Sequence, residues 1–150
     1  MTPEPLVLIE ELPMAVEDLW ALWTESDKVA QWLAGGSTID LKIGGTYLLS
    51  GHLATRPLRQ AVGGPIVGLE EEYVLKVAWR PPSELGSAVS EALPPTTLGV
   101  WFQPLGPNRT RIRLEHDGWR DGDQWAAALQ WHREVWTAVL ARLKQGNLPI

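Results

Sequence analysis

Apolar and polar positions along the chain change period three times, and each change marks a new kind of element. Residues 5–10 (PLVLIE) form a short apolar run with β-branched character, which predicts a first strand. From Pro13 onward Val16, Leu19, Trp20 and Trp23 follow at helical spacing, with Glu17 and Asp18 in the first turn, where acidic side chains suit the helix dipole. Pro13 is read as the start of this helix, because the first helical N–H has no partner to lose. After a break at residues 24–26, Asp27 is expected to cap a second short helix through Val29 to Leu33, stopped by Gly35-Gly36.

At residue 37 the period becomes two. Ile39, Leu41 and Ile43 alternate with Asp40 and Lys42, Gly44-Gly45 turns the chain, and Tyr47 and Leu49 return to about Leu53. Residues 54–64 read as a loop or irregular strand end, followed by a hairpin of residues 65–69 and 73–79 around Glu70-Glu71-Glu72. Residues 80–95 (RPPSELGSAVSEALPP) are irregular, a loop or short helix bracketed by prolines; connections this long in a compact domain often serve as lids or binding elements. A last hairpin pairs residues 96–103 with 110–116, where Ile112 and Leu114 alternate with Arg111, Arg113 and Glu115. The final element is a helix over residues 123–144, with Trp125, Leu129, His132, Trp136, Leu140 and Leu143 on one stripe and Gly146 and Pro149 beyond its end.

One strand, two short helices, six strands in hairpins and one long helix make an α+β chain with an antiparallel sheet. At 150 residues without repeat or linker, it is read as a single domain over residues 1–150. The inward positions inferred from the alternation are Leu41, Tyr47, Leu49, Leu75, Val77, Trp79, Leu98, Val100, Phe102, Ile112 and Leu114, facing Trp125, Leu129, His132 and Trp136.

Composition narrows the function. The net charge is −5, and the 13 basic residues are scattered with no stripe to neutralise phosphates, which argues against nucleic acid. With no cysteine there is neither a disulfide framework nor a thiolate nucleophile or ligand. The N-terminus lacks the pattern of a signal peptide, and no apolar stretch reaches the ~18 residues of a membrane helix, so the expected location is cytoplasmic, without stable membrane insertion. Nine tryptophans stand against two tyrosines and one phenylalanine. Their simplest use is a Trp-rich core, and their large apolar bodies equally suit pocket walls.

Candidate chemistry is sparse. His52, His116 and His132 show no metal-ligand spacing within one element, so no metal is expected. No GxSxG elbow is present, Ser50 and His52 are only an i, i+2 pair, and the glycine pairs lack the P-loop lysine and dinucleotide spacing. Asp40 and Glu115 fall on faces assigned to solvent, and Arg109, Arg111 and Arg113 on one wet face beside Glu115. No catalytic residue and no cofactor is therefore assigned. His132, on the apolar stripe of the last helix, is the best single polar candidate, either as a satisfied core residue or as a ligand contact.

Several short motifs occur in a telling order: Pro13 with residues 19–22 (LWAL) and Trp32; Asp40, Lys42 and Gly44-Gly45; Gly64 to Leu69; Leu75 to Trp79; Thr110-Arg111-Ile112; the His116-Asp117-Gly118-Trp119 corner; and Trp136 to Leu143. In this order the chain resembles the homologues of the activator of heat-shock protein ninety ATPase, a branch of the START-like (SRPBCC) superfamily. The resemblance implies a helix-grip fold: a curved antiparallel sheet of about seven strands wrapped around a long C-terminal helix, with a hydrophobic cavity between them. It also implies a range of roles, since relatives bind lipids, hormones or polyketides, some are cyclases, and some assist chaperones. The expectation is non-catalytic binding of a small hydrophobic or amphipathic molecule, as carrier or sensor. Its site is placed at Tyr47, Leu49, Trp79, Val100, Phe102, Leu114, Trp125, Leu129, His132 and Trp136, with residues 80–95 and 54–64 gating access. A cyclase or hydrolase using the same pocket, and a chaperone- or regulator-binding protein with a filled core, are the alternatives. A homodimer is left open; a chaperone partner is disfavoured, because the eukaryotic co-chaperone carries a further N-terminal domain not seen in this chain.

Overall fold

A computed structural model describes residues 3–150. Its strands are β1 (Leu6–Leu12), β2 (Ala34–Ile39), β3 (Thr46–Leu53), β4 (Arg56–Pro57), β5 (Val62–Glu70), β6 (Val74–Trp79), β7 (Thr96–Gly106) and β8 (Arg109–Asp117). Its helices are α1 (Val16–Thr24), α2 (Ser26–Trp32), the four-residue α3 (Ser87–Ser90) and α4 (Asp123–Gln145), with a single 3-10 turn at Ser83–Leu85. The antiparallel sheet runs β1-β8-β7-β6-β5-β3-β2, with β4 added beside the end of β3. It curls around α4, as a helix-grip fold requires.

Alternation sets the faces. Along β8, Thr110, Ile112, Leu114 and His116 are buried, while Arg109, Arg113 and Asp117 are exposed. On α4 the buried side chains are Trp125, Ala128, His132, Val135, Trp136, Val139, Leu140 and Leu143, a stripe at three- and four-residue spacing that meets the concave face of the sheet. Burial of that stripe holds the helix, at roughly 1.5–3 kcal/mol for each large apolar side chain fully removed from water. The inward strand positions inferred from the sequence are buried except for Leu41, and of the residues placed opposite them on the last helix Leu129 is half-buried.

Leu41 and Ile43 are exposed because β2 ends at Ile39 and the chain turns over Asp40–Gly45. Lys42 N–H donates to Asp40 C=O, Gly45 N–H donates to Lys42 C=O, and Gly44 takes a positive φ of 81°. A period of two thus continued through a turn and imitated a longer strand. Gly35-Gly36 does not stop α2 but lies inside β2. A Cβ on Gly35 would stand 2.9 Å from the His52 ring, and one on Gly36 would stand 2.8 Å from Ser50 Oγ, so glycine permits the pairing with β3. Pro13 lies ahead of the helix start, α1 beginning at Val16 after Ala15. Likewise Glu25, not Asp27, occupies the cap of α2, and Asp27 sits in its first turn. The 54–64 loop contains β4 and the start of β5, and residues 80–95 contain the 3-10 turn and α3.

Candidate functional site

The interior between sheet and α4 holds two packed clusters. The larger takes in β1, α1, α2, the sheet and the second half of α4. The smaller joins Val89 of α3 to Trp119, Trp125 and Ala128, with Leu85, Ala92 and Leu129 against it. Between them stands an aromatic node. Trp79 meets Trp136 at 5.3 Å between ring centroids, His116 meets His132 at 4.8 Å, and Trp119 lies 4.4 Å from His116 and 5.2 Å from His132.

Hydrogen bonds through this node fix both histidine tautomers. Trp136 Nε1–H donates to His116 Nδ1 at 3.0 Å, so the proton of His116 is on Nε2 and donates to Thr96 Oγ1 at 2.8 Å. Thr96 in turn donates to Trp79 C=O at 2.7 Å. Trp79 Nε1–H donates to His132 Nε2 at 3.2 Å, which puts the proton of His132 on Nδ1, donating to Ala128 C=O at 2.7 Å. Trp119 Nε1–H donates to His116 C=O at 2.7 Å. Each buried polar atom of the node is thereby satisfied, as a low-dielectric interior demands. Burial pushes the pKa of His132 down to about 4, opposed by its bond to Ala128. Burial, and then the neighbouring His132, holds His116 well below the ordinary histidine range. Both rings are neutral at pH 7.

Of the ten residues assigned to a pocket, Trp79, His132 and Trp136 meet in this node. Leu49, Val100 and Leu114 are buried in the larger cluster, and Phe102 meets Trp20 edge-on at 5.1 Å. Trp125 belongs to the smaller cluster, and Leu129 touches both. Tyr47 stands apart: its hydroxyl donates to Trp23 C=O on α1 at 2.6 Å, and burial raises its pKa above the ordinary phenol range. Sequence reasoning missed His116, Thr96 and Trp119. The signal for His116 was present, since it continues the inward alternation Thr110, Ile112, Leu114. Among buried side-chain polar atoms of the described residues, Trp23 Nε1 has no hydrogen-bond partner.

Clefts also open on the surface. One of about 610 Å³ on the convex face of the sheet is lined by Ile9, Tyr73, Trp101, Gln103, Arg111 and Arg113, among others. Trp101 lies back over Gly99, where a Cβ would come within 2.5 Å of its ring, and the Lys76 ammonium and Arg113 guanidinium stand 5.1 and 5.8 Å from the ring centroid. Glu11, paired with Arg109 and Arg111, has its pKa lowered by these partners on the same face. A second cleft of about 460 Å³ lies between α2 and α4, lined by Trp32, His52, Ala138, Val139 and Arg142 among others. Among the described residues no three histidine or carboxylate side chains converge as metal ligands would, and no helix is long and apolar enough to cross a membrane.

Among curated proteins no match to the sequence was found. Among solved structures, a Mesorhizobium loti protein superposes with a TM-score of 0.74 at 18% identity, covering 95% of each chain. The Aha1 dimer from Colwellia psychrerythraea has a TM-score of 0.71 at 14% identity, covering 95% of this chain and 94% of that one. An HSP90 activator from Plasmodium falciparum has a TM-score of 0.67 at 16% identity, covering 90% of this chain and 89% of its own. Identities this low establish the fold alone. The family described as "Activator of Hsp90 ATPase homolog 1-like protein" matches residues 13–146, nearly the whole chain. With its strands wrapped around α4 in the same arrangement, the chain belongs to the family of activator of Hsp90 ATPase homolog 1-like proteins.

Proposed function

We propose that this protein, acting as one domain, binds a small hydrophobic or amphipathic molecule without chemical conversion, between the sheet and the first half of α4. The observation that carries this reading is the division of the interior. The smaller cluster is roofed by the 3-10 turn and α3, elements too short to be stable on their own, with the Arg120 guanidinium 5.0 Å from the centre of the Trp125 ring. Moving that roof uncovers Trp119 and Trp125 and gives access to the aromatic node while the larger cluster stays packed. Residues 80–95 are then the gate. In the closed conformation Val89 occupies the place that a ligand's apolar end takes in the open one. Affinity comes from apolar burial, at roughly 25 cal/mol per Å² before entropic costs. Catalysis is less well supported, because both histidines spend all four ring nitrogens on internal hydrogen bonds.

A second reading, docking of a protein partner, draws on the convex face, where Val7, Ile9 and Tyr73 are exposed beside Trp101. The names of the Plasmodium falciparum and Colwellia psychrerythraea proteins lend it an analogy.

Native mass spectrometry of freshly purified protein, beside the same sample denatured, separates the two. The expected result is an added mass that vanishes on denaturation, reduced in Trp125→Ala. An unliganded spectrum, with no small molecule retained at any concentration tested, would turn the reading toward the convex face; the same spectrum reports the oligomer.

A further inference from the structure

The aromatic node links two layers of the fold, and its hydrogen bonds divide into two kinds. Those of His116 to Thr96 and of Thr96 to Trp79 stay within the sheet, and that of His132 to Ala128 stays within α4. Two cross between the layers: Trp136 of α4 to His116 of β8, and Trp79 of β6 to His132 of α4. In both crossing bonds the histidine nitrogen is the acceptor. These two nitrogens are therefore the only places on the two rings where an added proton can go. A proton there sets N–H against N–H and abolishes the bond.

We propose that the two crossing bonds form an acid-released latch, in which a proton on His116 Nδ1 or His132 Nε2 uncouples α4 up to Trp136 from the sheet and opens the aromatic interior to a ligand. The last part rests on the binding function proposed above. The rings are packed by Thr96 and Trp79 from the sheet, by Trp119 from the corner after β8, and by Trp131 and Trp136 from α4. Among the described residues no carboxylate or cation is among these contacts, and the titratable group facing each histidine is the other. Nothing nearby therefore compensates an imidazolium, and two of them with ring centroids 4.8 Å apart repel. The released region has a natural boundary, because the roof over its first part is the short 83–92 segment, while beyond Trp136 the helix is held by Val139, Leu140 and Leu143 in the larger cluster.

Hydrogen exchange on the full chain tests the latch, read by mass spectrometry from about pH 7.5 to about pH 4.5 across the histidine range and corrected for the intrinsic rate. Residues 119–136 are expected to show a lower opening free energy than β2 and β3. Below the ordinary histidine pKa their open population should rise toward about 100-fold per pH unit, the slope for two protons, and by about 10-fold in His132→Phe, the slope for one. Trp79→Phe, which removes a crossing donor and leaves both histidines in place, should raise the open population at neutral pH while keeping the steep slope. A flat profile over this range, or equal opening free energies for residues 119–136 and β2–β3 at every pH, overturns the latch. The dye 8-anilinonaphthalene-1-sulfonate, added along the same titration, reports apolar surface. Its blue-shifted emission should rise with the opening. Opening without dye uptake would leave the latch standing and remove the coupling to ligand binding.

Discussion

Thr96 carries more than its size suggests. Its hydroxyl accepts from His116 Nε2–H and donates to Trp79 C=O, so one oxygen connects three strands. Thr96→Val conserves shape but leaves the His116 N–H buried without an acceptor, which costs about 1–3 kcal/mol. Thr24 is the control. It is also buried, but its hydroxyl only returns to Trp20 C=O within α1, so Thr24→Val should cost less. Urea unfolding of the two variants measures the difference, and equal losses would mean that the node confers no special stability. At this scale the sequence was partly legible. His132 could be read from a helical stripe and the ring of Trp79 from a strand face. That His116 and Thr96 complete the node depends on the β7–β8 register, which brings Leu98 opposite His116, and on the rotation of α4.

At the scale of elements, the boundaries that local pattern misjudged are those where the backbone changed direction without a change in polarity. Leu41 and Ile43 continue an alternation through a turn, and Gly35-Gly36 looks like a helix stop while serving a close strand pairing. Residues 80–95 are irregular in sequence and in structure, holding only a 3-10 turn and a four-residue helix between prolines. Val89 is 1% exposed and is the main apolar anchor of this segment. Val89→Ala removes two methyl groups, about 1.5 kcal/mol at roughly 0.8 per buried carbon. The amides of Val89, Ser90, Glu91 and Ala92, which close the turns of this segment, should then exchange about tenfold faster. In the unmodified protein they should already exchange faster than those of β7 and β8. If they instead exchange at the rate of β7 and β8, the segment opens only with the whole fold and cannot act as a gate.

For the whole molecule the histidine pair sets the pH dependence of stability. Both rings have a folded-state pKa below the ordinary value of 6.5, so the unfolded chain binds more protons once the pH drops below that value. Stability is therefore complete above about 6.5 and falls with pH until the folded-state values are reached, near 4 for His132. That interval corresponds to about 3 kcal/mol for His132 alone, at about 1.4 per unit, with His116 adding to it. The exposed carboxylates Glu11 and Glu134, lowered by their partners, act only at lower pH and weakly, since solvent screens them. Chemical denaturation at a series of pH values should show the decline begin near neutrality; a plateau extending down to the carboxylate range would refute it.

By itself the sequence determined the class of each major element and the buried face of β6, β7, β8 and α4, which follow from periods of two and 3.6 that any local window contains. The resemblance to a helix-grip family rests instead on the order of its short motifs, from Pro13 to the His116–Trp119 corner and the last helix. Only the tertiary structure decided which inward residues meet. Trp79, His116 and His132 lie far apart along the chain, and a strand register with a helix rotation brings them within hydrogen-bonding reach of one another's partners. The same docking leaves two histidines neutral and fully bonded where a sequence reader sees single polar residues on apolar faces. It also packs the short 83–92 segment against Trp119, Trp125 and Ala128.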